Sequence, residues 1–432
     1  MSDLNTPKSM KLNMAWNTIG SFFYQGCMWL LTVLVVRLSS DYQNSGALAF
    51  AMSVGNVFFM LATYNLRTYQ VADTTEKYSS SNYVAIRLVT IAAAVIICIP
   101  YSVIVSPSGS TLFTILAFLL FKSDESFANV LYGIDQQKLR LDISGMSQIL
   151  RGIACVSIFT LFMLLTGSLQ ISLLAMALTC QAVTLLFDLP RTRNLVESLR
   201  PRVSIKKCKQ LLIHCLPSAL GIVISNFVVS TARQLFGISY GEAALGIYAS
   251  VATPCVVVQV LVQNLYTPVL GPIASLFKDN KRHEARNSCV KLFSGVLIGC
   301  FLLSAVAFLC AKPLLTIVYG EGIANYSYLM PGVLAVASCS VLLCLQTDLL
   351  IVFDGIKMSL LMNAAAFLVM IASLNPMIDR FYMNGVSFSL CLAYIVAMVI
   401  GFICLVRCSS TQWQVEGNAS KVQSTGVAND GK

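Results

Sequence analysis

The 432-residue chain is 57% hydrophobic and only 11% charged, with 29 Lys and Arg against 19 Asp and Glu. Soluble domains run near 45–50% apolar and about 25% charged, so these side chains exceed what one water-facing core can hide. A soluble globular protein is excluded, and the expected fold class is an all-α polytopic membrane protein.

A spanning helix needs roughly 20 mainly apolar residues. In chain order the candidate spans are 15–36, 46–65, 84–105, 111–133, 146–166, 169–189, 211–236, 244–265, 289–310, 327–350, 358–378 and 385–406, about twelve by that length criterion. The segment 1–14, with Lys8 and Lys11, reads as a cytoplasmic N-terminus. The apolar run after it is longer than the roughly 7–15-residue core of a secretory signal, and no cleavage site stands out, so it reads as an anchored helix. Short polar connections such as "VSPSGS" (105–110) and "TGS" (166–168) keep neighbouring spans antiparallel.

Orientation follows from Lys and Arg, because positive loops stay cytoplasmic. Loop 190–210 holds Arg191, Arg193, Arg200, Arg202, Lys206, Lys207 and Lys209, and the loop near 277–291 adds Lys278, Lys281, Arg282, Arg286 and Lys291. Loops 105–110 and 166–168 hold none. Both termini are therefore expected in the cytoplasm. The net charge of +10 is mainly this topology signal, with anionic-lipid contact secondary, and no nucleic-acid partner is expected.

The basic loop divides the spans into an N-lobe (15–189), a linker (190–210) and a C-lobe (211–406), followed by a polar tail (407–432) expected to be disordered and cytoplasmic. Two weak similarities link the halves. "VVRLSSDYQNSGALAFAMSV" (35–54) resembles "TARQLFGISYGEAALGIYASV" (231–251), and "SDESFANVLYGI" (123–134) resembles "TDLLIVFDGI" (347–356) with a gap. Six spans per half predict parallel lobes related by a pseudo-two-fold axis along the membrane normal, with a substrate site between them.

The 15 cysteines lie mostly inside apolar runs, without a CxxC, and the histidines are His214 and His283. Cysteine in that setting is a small hydrophobe, so neither a disulfide framework nor a metal site is expected. No GxxxxGK[ST], HExxH or GxSxG occurs, so the sequence predicts neither an enzyme nor an ATP-driven pump, and no cofactor. Six prolines in or beside spans, Pro217, Pro254, Pro268, Pro272, Pro331 and Pro376, are candidate kinks.

The fourth span carries the sharpest anomaly: "FLLFKSDESFANVLYG" (118–133) places Lys122, Asp124 and Glu125 in an apolar helix. At about 100° per residue, Lys122, Glu125, Ser126, Asn129 and Gly133 share one stripe, while Asp124 sits round from it. Lys122 and Glu125 are spaced to pair. Each ionisable group at mid-bilayer costs roughly 2.5–3.5 kcal/mol on insertion scales. The stripe is therefore expected to line a cavity, with a cytoplasmic helix end as the competing reading. Asp348 lies in the matching second-half helix, and Arg37 and Arg233 end corresponding spans. Arg67, Arg87, Lys138, Arg140 and Arg151 sit at cytoplasmic helix ends, either as topology signals or as a basic vestibule for an anionic headgroup.

"SDESFANVLYGIDQQKLRLDISGMSQILRG" (123–152) resembles the stretch after the fourth span of Wzx-type polysaccharide flippases, through Glu125, Gly133, Gln136, Arg140, Ser147, Arg151 and Gly152. "LRTYQVADTTEKYSSSNYVAIRLVT" (66–90) similarly resembles an "RxYQVSD…Y…R" segment of a bacterial subgroup. That family belongs to the multidrug/oligosaccharidyl-lipid/polysaccharide flippase superfamily, with the MATE exporters. The resemblance implies two six-helix lobes in alternating access, in the bacterial plasma membrane. The implied cargo is an undecaprenyl-diphosphate-linked repeat unit moved to the outer leaflet for surface polysaccharide such as O-antigen or capsule, with a polymerase and glycosyltransferases as partners. Lys122, Arg151 and Arg233 are its expected diphosphate ligands, with Asn129 in the cavity and Arg37, Arg67 and Arg87 in reserve. Asp124, Glu125 and Asp348 are assigned to H+ or Na+ coupling or to charge balance. A cation-coupled drug exporter is the alternative, though span 15–36 has Asn17 and Gln25 but no carboxylate. A membrane polymerase or acyltransferase fits less well, because the outer loops are short.

Overall fold

The computed structural model describes residues 9–73, 77–202, 205–279, 281–352 and 355–426. Among the described residues the chain is helical, without a strand. In lipid every backbone polar group must be satisfied within the element, and the helix does this locally. The order is α1 (Met10–Leu38), α2 (Gln43–Thr63), α3 (Leu66–Ala72), α4 (Ser80–Val105), α5 (Gly109–Gln137), α6 (Leu141–Thr166), α7 (Leu169–Val183), a π-helical turn (Thr184–Asp188) and α8 (Leu189–Arg193). Then come α9 (Ile205–Tyr240), α10 (Glu242–Tyr266), α11 (Leu270–Lys278), α12 (Arg282–Leu309), α13 (Ala311–Tyr319), α14 (Glu321–Ala324), α15 (Met330–Val352), α16 (Ile356–Phe381) and α17 (Met383–Gly426).

Each expected span is centred on one of these helices, with 169–189 running through α7 and the π turn into α8. Eleven are long and apolar enough to cross a membrane among the described residues. The remaining one, α5, has 29 residues but carries Lys122, Asp124, Glu125 and Asp135. The chain is a multi-pass membrane protein.

Helix ends follow local chemistry. Ser108 caps α5 by accepting from the Thr111 amide at 3.1 Å. Asn82 Oδ1 accepts from the Ser79 amide (3.3 Å) and hydroxyl (3.0 Å) at the start of α4. Gly167, at φ 63°, closes α6 in the left-handed conformation that glycine adopts freely. Beyond the last apolar stretch α17 runs on to Gly426, through the polar segment read as a disordered tail. No glycine or proline interrupts it between Arg407 and Glu416.

The chain forms two compact units, Met1–Thr253 with Lys312–Tyr328, and Pro254–Ala311 with Leu329–Lys432. The first boundary lies at Pro254 inside α10, rather than in the basic 190–210 segment. In the first unit α1 packs along α6, where Gly20 meets the Gly145 backbone and Gly145 meets that of Trp16. A side chain at either position would strike main chain. α9 and the start of α10 also belong to this unit. There Gly46 abuts the Glu242 backbone and Gly246 abuts Ser45 and the Tyr42 carbonyl. The two helix starts that look alike in sequence therefore touch each other through glycines. In the second unit α15 packs on α12 and α17 around Val341, Leu345 and Leu349.

Candidate functional site

The polar stripe of α5 opens onto a cavity of about 330 Å³, lined by α1, α2, α3, α5 and α6. An adjoining pocket of about 440 Å³ shares Phe59, Arg67 and Asn129 with it and reaches Gln136. Every lining residue belongs to the first unit.

Lys122 and Glu125, one helical turn apart on α5, form an ion pair at 2.6 Å. Tyr24 of α1 donates to the other Glu125 oxygen at 3.3 Å. The Lys122 ammonium also lies 5.2 Å from the Phe59 ring centre and 5.5 Å from that of Phe121. Ring faces attract a cation, so the aromatic rings help hold the ammonium, with its charge balanced by Glu125.

Asp124 points to the other side of the helix and meets Arg151 of α6 at 2.7 Å. The second Arg151 arm is 3.1 Å from Asp188 and also donates to Thr184. Thr184 in turn donates to Asp124 at 2.5 Å. Thr184 and Asp188 bound the π turn, whose extra residue per turn re-aims side chains relative to a regular helix. Arg151 and Asp188 are 2% and 1% exposed, so this is a closed internal network with one cation and two carboxylates. Although Arg151 borders the cavity, its charge is already met inside the wall.

Two other guanidiniums have neutral partners. Arg67 of α3 donates to Gln136 Oε1 at 3.0 Å. Arg87 of α4, wholly buried, donates to the Ala62 carbonyl at 2.7 Å and to Asn129 Oδ1 at 3.1 Å. Its Nε has no acceptor among the described residues. Neither arginine has an ion pair among the described residues. Arg67 therefore lines the cavity with Gln136 as its hydrogen-bond partner and the Asp135 carboxylate attracting it from beyond ion-pair distance, while Arg87 lies behind Asn129.

The remaining predicted residues lie elsewhere. The Arg37 guanidinium donates to the carbonyls of Thr316, Ile317 and Val318 at 3.2, 2.6 and 2.9 Å, capping the end of α13. Arg233 sits on α9, outside the lining of both pockets. Asp348 belongs to the second unit, where Tyr266 donates to it at 2.9 Å. Sequence reasoning passed over Tyr24, Asn56 and Gln148 in the lining, and Thr184 and Asp188 behind it. Asn56 and Asp188 were detectable as single polar residues inside apolar runs.

Residues 35–327 match the polysaccharide biosynthesis protein family, a span that includes every charged residue of the cavity. The chain belongs to that family. Among curated relatives, this polysaccharide biosynthesis family member is 24% identical over 299 residues to the capsular polysaccharide biosynthesis protein CapF of Staphylococcus aureus, covering 68% of this chain and 74% of CapF. An inward-facing multidrug resistance MATE family transporter of the MOP superfamily matches with TM-score 0.70 at 12% identity, over 90% of this chain and 95% of its own. The lipid II flippase MurJ, in an inward closed conformation, matches with TM-score 0.69 at 12% identity, over 91% and 89%. A MOP superfamily transporter from Pyrococcus furiosus matches with TM-score 0.60 at 14% identity, over 92% and 94%. At such identities these likenesses establish the fold, which is MATE-like, and the family and fold are those the sequence resemblance implies.

Proposed function

We propose that this family member carries lipid-linked oligosaccharide precursors of a surface polysaccharide from the cytoplasmic to the outer leaflet of the bacterial plasma membrane. The observation that carries this reading is Arg67, which lines the polar cavity without an ion pair among the described residues, backed by Arg87 behind Asn129. A cation held within a membrane without an ion pair is costly and marks a place where an anion fits. A guanidinium donates two parallel hydrogen bonds to phosphate oxygens, so a diphosphate headgroup is the matching chemistry.

In this reading Arg67 and Lys122 contact the headgroup, Arg87 supplies positive field and aims Asn129, and Glu125 balances Lys122 when the cavity is empty. Arg151 holds the wall rather than the cargo. The family description and the CapF likeness support a polysaccharide precursor as cargo. Arg67 and Lys122 in the lining disfavour an organic cation. Both termini in the cytoplasm follow from the basic loops. Alternating access of the halves 15–189 and 211–406, coupling through H+ or Na+ at Asp348 or Glu125, and work alongside a polymerase and glycosyltransferases complete the proposal. Complementation of a flippase-null, capsule-forming strain tests it: wild type restores surface polymer, and Arg67→Gln at equal membrane abundance does not. Full restoration by Arg67→Gln overturns the assignment.

A further inference from the structure

A second basic feature lies apart from the cavity. A groove of about 610 Å³ is bounded by α4, α5, α8 and the segment that follows α8. One wall is apolar, with Val84 and Leu88 from α4 and Phe127 and Leu131 from α5. The other presents Arg193, Arg200 and Arg202, opposed by Glu197 alone, a net charge of +2.

The three arginines are exposed, and their guanidiniums have no hydrogen bond or ion pair among the described residues. Their backbone is nevertheless fixed. Ser81 Oγ donates to the Ser198 carbonyl at 2.8 Å, and Asn82 Nδ2 donates to that of Arg202 at 3.0 Å. Leu199 is buried beside Tyr83, Val84 and Leu131. The segment therefore holds free cations on a preorganised frame, at the N-terminal end of the α4 span.

The apolar wall runs on into the lipid-facing side of α4, where Leu88, Val89, Ile96 and Ile97 are 42–72% exposed. Soluble phosphate needs no such wall. We infer that this groove binds an anionic phospholipid, its phosphate on Arg193, Arg200 and Arg202 and an acyl chain along Leu88 and α4. A basic pocket at the cytoplasmic side of spanning helices is the setting in which anionic headgroups are held. No residue of this groove lines the cavity, so the site does not rest on the cargo reading.

The test uses the full purified chain in detergent, titrated with phosphatidylglycerol, phosphatidylcholine or inorganic phosphate. Bound lipid is counted by native mass spectrometry and the melting temperature is followed in parallel. The Arg193→Gln/Arg200→Gln/Arg202→Gln variant is compared with Lys206→Gln/Lys207→Gln/Lys209→Gln, which removes equal charge from exposed positions outside the groove. Should the arginine triple fail to fold, the Arg200→Gln/Arg202→Gln double takes its place. Wild type and the lysine variant are expected to retain phosphatidylglycerol and melt higher with it. The arginine variant should lose affinity at least about tenfold, each basic group near an anionic surface contributing measurably. Equal retention by the arginine variant overturns the site. So does equal loss in the lysine variant, which indicates general surface charge, or equal protection by inorganic phosphate, which indicates a soluble-anion site.

Discussion

Replacing Arg151 with Met tests whether that residue is wall or ligand. In the native wall its guanidinium stands 2.7 Å from Asp124 and 3.1 Å from Asp188, whose side chains are 5% and 1% exposed. Removing it leaves two carboxylates facing each other without a cation. Deleting one partner of a buried ion pair costs about 3–5 kcal/mol, because the remaining charge has no compensation. Arg151→Met should therefore lose most of the protein's thermal resistance in detergent. Neutralising the pocket as well, in Arg151→Met/Asp124→Asn/Asp188→Asn, should restore much of it, since a matched apolar or neutral replacement is often nearly free. A mutant cycle read by thermal melting and recovery of monodisperse protein measures this coupling, which is expected to exceed about 1 kcal/mol for groups in one network. The reasoning fails if Arg151→Met melts with wild type, or if the neutral triple variant is no more stable than the single one.

Further outcomes follow from the packing of α1 on α6 and from the cavity's ion pair. Gly145→Val should destabilise by about 1–3 kcal/mol or abolish folding through overpacking, because the new side chain meets the Trp16 backbone, whereas Gly26→Ala, with open space around it, should melt at or above wild type. Lys122→Gln leaves Glu125 as an unbalanced anion in the cavity and should reduce polymer export by about tenfold or more, on the scale of a lost charge-assisted contact. Export is measured as surface polymer per cell at matched protein abundance.

The spans were legible because lipid leaves one solution for an apolar run of that length. Within α5 the helical period alone placed Lys122 with Glu125 and turned Asp124 away from them, as the structure has it. What Asp124 turns toward was not legible. Its partners, Arg151 and Thr184, lie 27 and 60 positions along the chain, the second at the start of a π turn that no local pattern announces. Arg37 and Arg87 illustrate the same limit. Both read as arginines near span ends, yet one caps the carbonyl end of α13 and the other is sealed behind Asn129, because tertiary packing rather than sequence position decides their surroundings. The basic 190–210 segment reads as the seam between halves of the chain, while by packing α9 lies on α2 within the first compact unit. Loop charge reports which side of the membrane a segment occupies and says nothing about its packing.

The central claim is that Arg67, lining the cavity without an ion pair among the described residues, holds an anionic, lipid-linked cargo. Its most direct measurement is translocation of a fluorescent polyprenyl-diphosphate oligosaccharide in liposomes containing the purified chain, wild type against Arg67→Gln, with Lys206→Gln as a control outside the cavity. Loss of one charge-assisted contact of about 1.5–3 kcal/mol predicts at least about a tenfold slower rate for Arg67→Gln and no change for the control. Translocation by Arg67→Gln at the wild-type rate, in protein that melts normally, contradicts the claim.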